Sequence, residues 1–426
     1  MIQELKIQNF LSFKDEVVFS FEATSDTTLE DYYVYEPVKG VRLLKMAMVY
    51  GANASGKSNL IEAFDFIHRF IFANVDNKEE ELDFRAFAFD KTTKEPGKLE
   101  LTFYVGTVKH LYSITIDRKN VFNETLLFYP GTQPAVIFER TLSGTGKTAI
   151  LKFGNKIKVS KAALDEITVK TLKNISVFVG YSSVNVEIPE IEAVYEWFQY
   201  QFMNSINPYH SLTEYSDNHI QSNEELKKFA LEFIQRADLN ISDIYYEKEA
   251  KPVPEAVMEE LDNLRISESE KERIRKEKVI EFDTTVFEHR IIKEDQEIYF
   301  KLPENEQSRG TMRYYGLSAP FYNAIKNNAL MLIDEIGSGL HPLLIMHFLR
   351  EFLKRSDSAQ ILFTTHNMSL LNEKDILRRD AIWITEKGED GATELSSFAD
   401  FSDFRKELSY YNYYKHGKFG GIPELK

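Results

Sequence analysis

Cysteine is missing from all 426 residues. A disulfide framework and a thiolate metal site are therefore both excluded. Long apolar runs are missing too, and none reaches the ~20 residues needed to span a bilayer. The opening MIQELKIQNF has no long apolar core after a basic segment, unlike a signal peptide. A soluble, cytoplasmic protein is expected. Positive charge is in deficit: 52 Lys and Arg stand against 67 Asp and Glu, a formal net charge of -15. Such a chain is not expected to coat nucleic acid over its whole surface, although a local basic groove is compatible with it. No internal repeat and no low-complexity tail is visible.

What is present points to packed cores. Hydrophobic residues make up 43% and aromatics 13% of the chain, which argues against a mostly disordered protein. The length implies two domains, or one core with an insertion. IQELKIQNFLSF alternates as a strand. MAMVY (46–50) leads into glycine-rich GANASGKS, and NLIEAFDFIHRFIF then places Leu60, Phe64, Ile67 and Ile71 at helical spacing. Residues 84–182 read as an antiparallel β region with hairpins. Residues 186–278 read as helical. Ile191, Val194, Tyr195, Phe198 and Phe202 share one face, and Ser222 with Glu225 suggests a capping box. The Lys271–Lys278 cluster, interleaved with Glu, fits either a solvated helical face or a partner or nucleic-acid contact. Strands alternating with helices then return, with LMLI, AQILFTT and AIWITEK as strands. The expected fold is α/β with a mainly parallel sheet covered by helices, an antiparallel β subdomain and a helical insertion. The expected domains are an N-terminal lobe at 1–185, an insertion at 186–278 and a C-terminal lobe at 279–426.

Gly51 to Ser58 fits G-x-x-x-x-G-K-[ST] between a strand and a helix. Glycines let successive backbone N–H groups point at one anion, and the helix adds its positive end. Lys57 supplies a full charge to the outer phosphates, and the Ser58 hydroxyl can ligate Mg²⁺. Gly51, Asn53, Ala54, Ser55 and Gly56 complete the nucleotide-contact set. A second GK-T, at 143–148, lacks the first glycine and precedes the alternating AILKF, so a hairpin turn is expected there.

A phosphate loop calls for Mg²⁺, which prefers oxygen ligands. Asp334, at the end of LMLI, is the natural second ligand. Glu335 beside it can accept a proton from attacking water. The bland alternative is a turn that caps the next helix. His366, after ILFTT, can donate a hydrogen bond to the γ-phosphate; the alternative is a structural histidine.

The set NFLSF, GANASGKSN, DEIGSGLHP and FTTHN resembles the ABC-type (P-loop) ATPase heads of the SMC, RecF and OLD-nuclease group. It is more closely similar to stand-alone bacterial AAA15 ATP-binding proteins, the RloA-like and AbiL-like ATPases of phage-defence loci. That closer likeness extends to EQSRGTMR (306–313), LRRDAIWITEK and HGKFGGIP (416–423). The resemblance covers the first ~100 and the last ~140 residues. It implies that Asn59 joins the nucleotide contacts. It also implies a head-to-tail homodimer, or a higher homo-oligomer, with ATP buried between subunits. Ser308 and the Gly310 N–H would then contact the γ-phosphate in trans. GSGLHP would be the D-loop and His366 the switch histidine. Two departures stand: the signature is SRGT, and RAFAFD (85–90) occupies the place of a Q-loop glutamine, so hydrolysis is expected to be slow. Arg309 is either a cation offered in trans or a surface arginine.

The leading expectation is an ATPase, using ATP and Mg²⁺, that controls a separate nuclease-like effector in anti-phage defence or a toxin–antitoxin-like pair. The chain itself shows no nuclease constellation. A RecF/SMC-like DNA-binding repair ATPase and a nucleotide-gated scaffold with little turnover are the alternatives. No membrane partner is expected.

Overall fold

The structure is a computed structural model that describes residues 1–75, 77–237, 240–264, 266–401 and 409–422. Pro423, which closes the HGKFGGIP stretch, lies outside the described residues, as does the end of the expected 279–426 lobe. The chain forms two compact units, Met1–His210 with Asn323–Lys426, and Ser211–Tyr322. The sequence reading placed an insertion at 186–278.

In chain order the strands are β1 (Ile2–Gln8), β2 (Val17–Ser20), β3 (Val34–Tyr35), β4 (Leu43–Leu44), β5 (Met46–Gly51), β6 (Gly97–Val105), β7 (Val108–Ile116), β8 (Val121–Tyr129), β9 (Ala135–Leu142) and β10 (Ala149–Phe153). Then follow β11 (Ile241–Pro252), β12 (Val279–Lys293), β13 (Gln296–Pro303), β14 (Leu330–Ile333), β15 (Gln360–Thr364), β16 (Ile382–Lys387) and β17 (Thr393–Ser397).

The first unit holds two main sheets. One has the order β14-β15-β5-β16-β17, with every pair parallel except the edge pair β16–β17. Three of its parallel strands, MAMVYG, LMLI and QILFT, are buried throughout. That is the signature of a parallel sheet covered on both sides. The helix Lys57–Phe72 buries Leu60, Phe64, Ile67 and Ile71, the residues at helical spacing in the sequence. The helix Pro342–Arg355 starts with Pro at its first turn, and the His341 side chain accepts the Leu343 N–H as its cap. GSGLHP thus includes the cap of this helix.

The other sheet is antiparallel, in the order β10-β9-β8-β7-β6-β1-β2. The opening strand belongs here, not to the parallel sheet. The helix Pro189–Gln201 packs on β6, with the Trp197 ring 4.3 Å from Phe103. The β region expected to run to 182 ends at Phe153; helices Lys161–Lys170 and Val177–Ser182 follow. Ser160 and Ser176 cap these helices through their hydroxyls, a local signal that outweighs the β-branched residues between them.

The second unit combines helices Leu212–Gln221, Glu224–Gln235 and Arg309–Gly316 with the sheet β11-β12-β13. Its core gathers Leu226, Ile234, Ile244, Phe287 and Tyr315. Two expectations are corrected. The cap of the Glu224–Gln235 helix is Asn223, which accepts the Leu226 N–H, while Ser222 closes the preceding helix. Residues 241–252 are a strand inside the stretch read as helical. Only Ile241 and Ile244 of β11 are buried, and its far half is exposed and charged. That half has no apolar alternation to read; pairing with β12 makes it a strand.

Candidate nucleotide site

The carboxyl ends of β5, β15 and β14 lie side by side because these strands are parallel neighbours. In such sheets the loops at that edge build the site. β5 ends at Gly51, and residues 52–56 lead into the Lys57–Phe72 helix. Gly56 stands at the helix start with φ of 113°, and no side chain caps the helix. The first helical amides are thereby left to an anion. A Cβ on Gly56 would sit 2.3 Å from Thr393 Oγ1, so only glycine fits. Lys57 is buried and folds over its own loop: Nζ donates to Gly51 O at 3.1 Å and to Ala52 O at 2.9 Å. Burial lowers its pKa, and Glu335 and Asp334 oppose that shift.

Asp334 and Glu335 follow β14 and are held by one residue of β15. Thr364 Oγ1 donates to Asp334 Oδ1 at 2.6 Å and accepts the Glu335 N–H at 2.8 Å. Glu335 sits at φ of 50°, a conformation that a side-chain-bearing residue adopts only when its surroundings hold it there. The backbone is tied on both sides: Asp334 N–H donates to Ile206 O at 2.8 Å and Ile336 N–H to Thr364 O at 3.1 Å. His366, just past β15, places Nε2 3.9 Å from Glu335 Oε1. Its pKa is lowered, first by burial and then by the Lys57 charge, against Glu335 and Asp334. The imidazole is therefore neutral near pH 7 and can donate one N–H. Lys57, Asp334, Glu335 and His366 thus share one electrostatic field, although Lys57 precedes the other three by 277 or more positions in sequence.

The remaining candidates divide. Asn53 and Ala54 are exposed on the loop, and Ser58 is exposed in the first turn of the helix. The Ser55 hydroxyl is buried 2.6 Å from Thr385 Oγ1, so its side chain belongs to the loop's support. Asn59 Nδ2 donates to Ser12 Oγ at 2.6 Å. Thr393 Oγ1 donates to Ser55 O at 2.8 Å and lies 2.7 Å from Ser12 Oγ. Ser308 and Gly310 belong to the second unit. There Ser308 is exposed and caps the Arg309–Gly316 helix by accepting the Thr311 N–H at 3.0 Å; Arg309 is exposed beside it.

Sequence reasoning missed Thr364, Thr385, Thr393 and Ser12 as parts of this site. Three of them sit inside stretches already singled out, FTTHN, AIWITEK and NFLSF, so a hydroxyl in each was a usable signal. Thr393 had none. RAFAFD meets NFLSF through backbone: Leu11 N–H donates to Arg85 O at 2.7 Å. The second GK-T is the turn between β9 and β10, closed by Ser143 N–H donating to Thr148 O at 2.8 Å. No helix among the described residues is long and apolar enough to cross a membrane.

A parallel sheet with a glycine-rich loop entering a helix, and an acidic pair on a nearby parallel strand, defines a P-loop ATPase head. The chain belongs to the family described as "AAA domain, putative AbiEii toxin, Type IV TA system", whose sequence model matches residues 46–163 and 195–372. It is an ATP-binding and ATP-hydrolysing protein of the AAA type, from a family related to toxin–antitoxin systems. No curated protein matches the chain at a significant level. Among solved structures it is similar to an SMC head bound to the C-winged helix domain of ScpA, at 13% identity over 96% of this chain and 99% of that chain, TM-score 0.43. It is also similar to the SMC head domain from Thermotoga maritima, at 14% identity over 93% and 98%, TM-score 0.40. A third is an Smc head with an extended coiled coil, bound to the C-terminal domain of ScpA derived from Pyrococcus furiosus, at 15% identity over 98% of both chains, TM-score 0.34.

Proposed function

We propose that residues 51–59 bind the triphosphate of ATP, with Lys57 as its counter-charge, and that Glu335 accepts a proton from the attacking water. His366, neutral at pH 7, donates to the γ-phosphate and registers its presence. The observation that carries this reading is the meeting of Lys57, Asp334, Glu335 and His366 in one field at the ends of three neighbouring parallel strands.

Mg²⁺ fits the donor set. Among the described residues no group of three or more His, Asp or Glu forms a metal cage. The Ser58 hydroxyl and the Asp334 carboxylate supply hard oxygens and leave other positions to water and phosphate, as Mg²⁺ prefers. When bound, the ion offsets charge on the β- and γ-phosphates. Thr364 keeps Asp334 and Glu335 in place for it.

The finer reading concerns assembly. Two copies close head to tail over ATP, and Ser308 and Gly310 of the partner subunit approach the γ-phosphate. The exposed start of the Arg309–Gly316 helix supports this: the Ser308 cap takes the Thr311 amide alone, and the other first-turn amides can meet an anion. The closed dimer controls a separate effector, nuclease-like in character, within a toxin–antitoxin or anti-phage system, as in the AAA15-type ATPases that the motifs resemble. Sedimentation of the Glu335→Gln variant with excess ATP and Mg²⁺ tests the assembly. A nucleotide-dependent dimer is expected, with turnover reduced by roughly 10²-fold or more, the usual worth of a general base. A monomer at saturating ATP sinks the composite site, and unchanged turnover sinks Glu335 as base.

A further inference from the structure

Residues 416–422 have no part in the chemistry above, yet they lie against the phosphate loop. The helix Tyr410–Lys415 runs into a turn where Gly417, Gly420 and Gly421 have φ of 69°, 70° and 68°. Phe419, buried in that turn, stacks 3.9 Å from Phe398 and meets Phe401 at 5.1 Å. Arg379 secures the same corner, donating to Phe398 O at 2.7 Å. The segment is therefore anchored just past the end of β17.

From that anchor two groups reach β5. The buried Tyr414 ring lies 5.4 Å from Tyr50, and its hydroxyl donates to Gly421 O at 3.0 Å. Burial pushes the Tyr414 pKa up to about 12, and a hydrogen bond from the Gly51 amide opposes that shift. Gly421 packs beside Gly51 under the Ile384 side chain: a Cβ there would come 2.6 Å from Ile384 Cγ2 and reach ordinary contact, 3.4 Å, with Gly51 Cα. Tyr50 in turn donates to Asn367 O at 3.1 Å, one residue past His366.

We infer that Tyr414 and Gly421 are positioning residues for the phosphate loop, holding Gly51 where strand β5 turns into the loop and so setting nucleotide affinity without touching the nucleotide. The inference rests on the reading of residues 51–59 as the nucleotide site. Its physical basis is preorganisation: amides that must converge on one anion bind it weakly when the loop's first residue is loose.

The test uses the full chain and titrates a non-hydrolysable ATP analogue with Mg²⁺ by calorimetry, with thermal unfolding measured without nucleotide. Tyr414→Phe keeps the ring and loses the hydroxyl; its dissociation constant should rise about fivefold, the worth of one buried hydrogen bond. Gly421→Ala should raise it by roughly tenfold or more, because a Cβ would clash with the Ile384 side chain of β16 and so push residue 421 out of its seat beside Gly51. Gly106→Ala, at φ of 57° with nothing within 4 Å, is the control for left-handed strain alone and should leave affinity unchanged. Unfolding temperatures of Tyr414→Phe should stay close to that control, and kcat at saturating ATP should stay within about twofold of the unsubstituted chain, so the effect falls on KM. Unchanged affinity in Tyr414→Phe overturns the inference, and that variant decides alone if Gly421→Ala does not fold. Lys57→Ala binding as tightly as the unsubstituted chain would instead overturn the nucleotide-site reading, and this inference with it.

Discussion

Residues 51–58 and 143–148 carry nearly the same letters and build opposite things. In GANASGKS the lysine is buried at a helix start, with two backbone carbonyls under its ammonium and two carboxylates across from it. In SGTGKT the lysine is exposed on the tip of a hairpin in the antiparallel sheet. What separates them is the chain that follows. NLIEAF repeats apolar residues at helical spacing and so turns the glycine loop into the mouth of a helix. AILKF alternates, and pairs back on β9. The lesson is that a phosphate-loop pattern acquires its chemistry from the element it opens, because the anion site is made of that element's unpaired amides.

The comparison can be broken most directly at the lysines. Lys57→Ala should abolish measurable ATP binding, a loss of roughly a hundredfold or more for a charge-assisted phosphate contact. Lys147→Ala should bind within about twofold of the unsubstituted chain, since an exposed lysine away from the site has nothing to lose. Calorimetry on both variants decides it. Weak binding in both, or in neither, would erase the distinction.

The glycines sharpen it. Gly56 and Gly146 both have positive φ, 113° and 68°, but only Gly56 is walled in. Alanine at 146 should cost about 1 kcal/mol of stability for the left-handed backbone and nothing in affinity. Alanine at 56 must also displace Thr393, and should cost a few kcal/mol in chemical denaturation and roughly tenfold in ATP affinity. Equal penalties would mean that the Thr393 wall yields freely.

The antiparallel sheet can be probed by acid as well. His110, on β7, is buried; its Nδ1 lies 3.0 Å from Val108 O, and burial lowers its pKa from 6.5 to about 4. As pH falls, the unfolded chain takes up that proton first, so the stability present above pH 6.5 drains away towards pH 4. The full loss is about 3 kcal/mol at 1.36 kcal/mol per pH unit. Urea midpoints at pH 7 and pH 5 should differ by less in His110→Gln than in the unsubstituted chain. An identical pH dependence would assign the acid lability elsewhere.

Much of the parallel sheet was legible because its strands are short apolar runs with polar ends. LMLI before Asp334, MAMVY before the glycine loop and QILFT before His366 all have that form, and burial on both faces requires it. The strand β11 was not legible, because most of it is charged and exposed. The Asn223 cap was missed because Ser222, one position earlier, offers the same chemistry. Thr393 and Gly421 could not be read either, since their neighbours at the loop lie more than 300 residues away.

Neighbouring residues alone set the local grammar of this protein: an apolar strand, a glycine loop, an amphipathic helix, and an acidic pair at the end of another apolar strand. Each of these follows from neighbouring residues, through side-chain periodicity and the conformations glycine permits. That β5 lies beside β15, and β15 beside β14, is settled by folding of the whole chain. That order sets Glu335 and His366 near Lys57, and packing then lets Gly421 rest on Gly51. Strand order and close packing depend on which faces bury one another across the whole chain, and no local pattern encodes that choice.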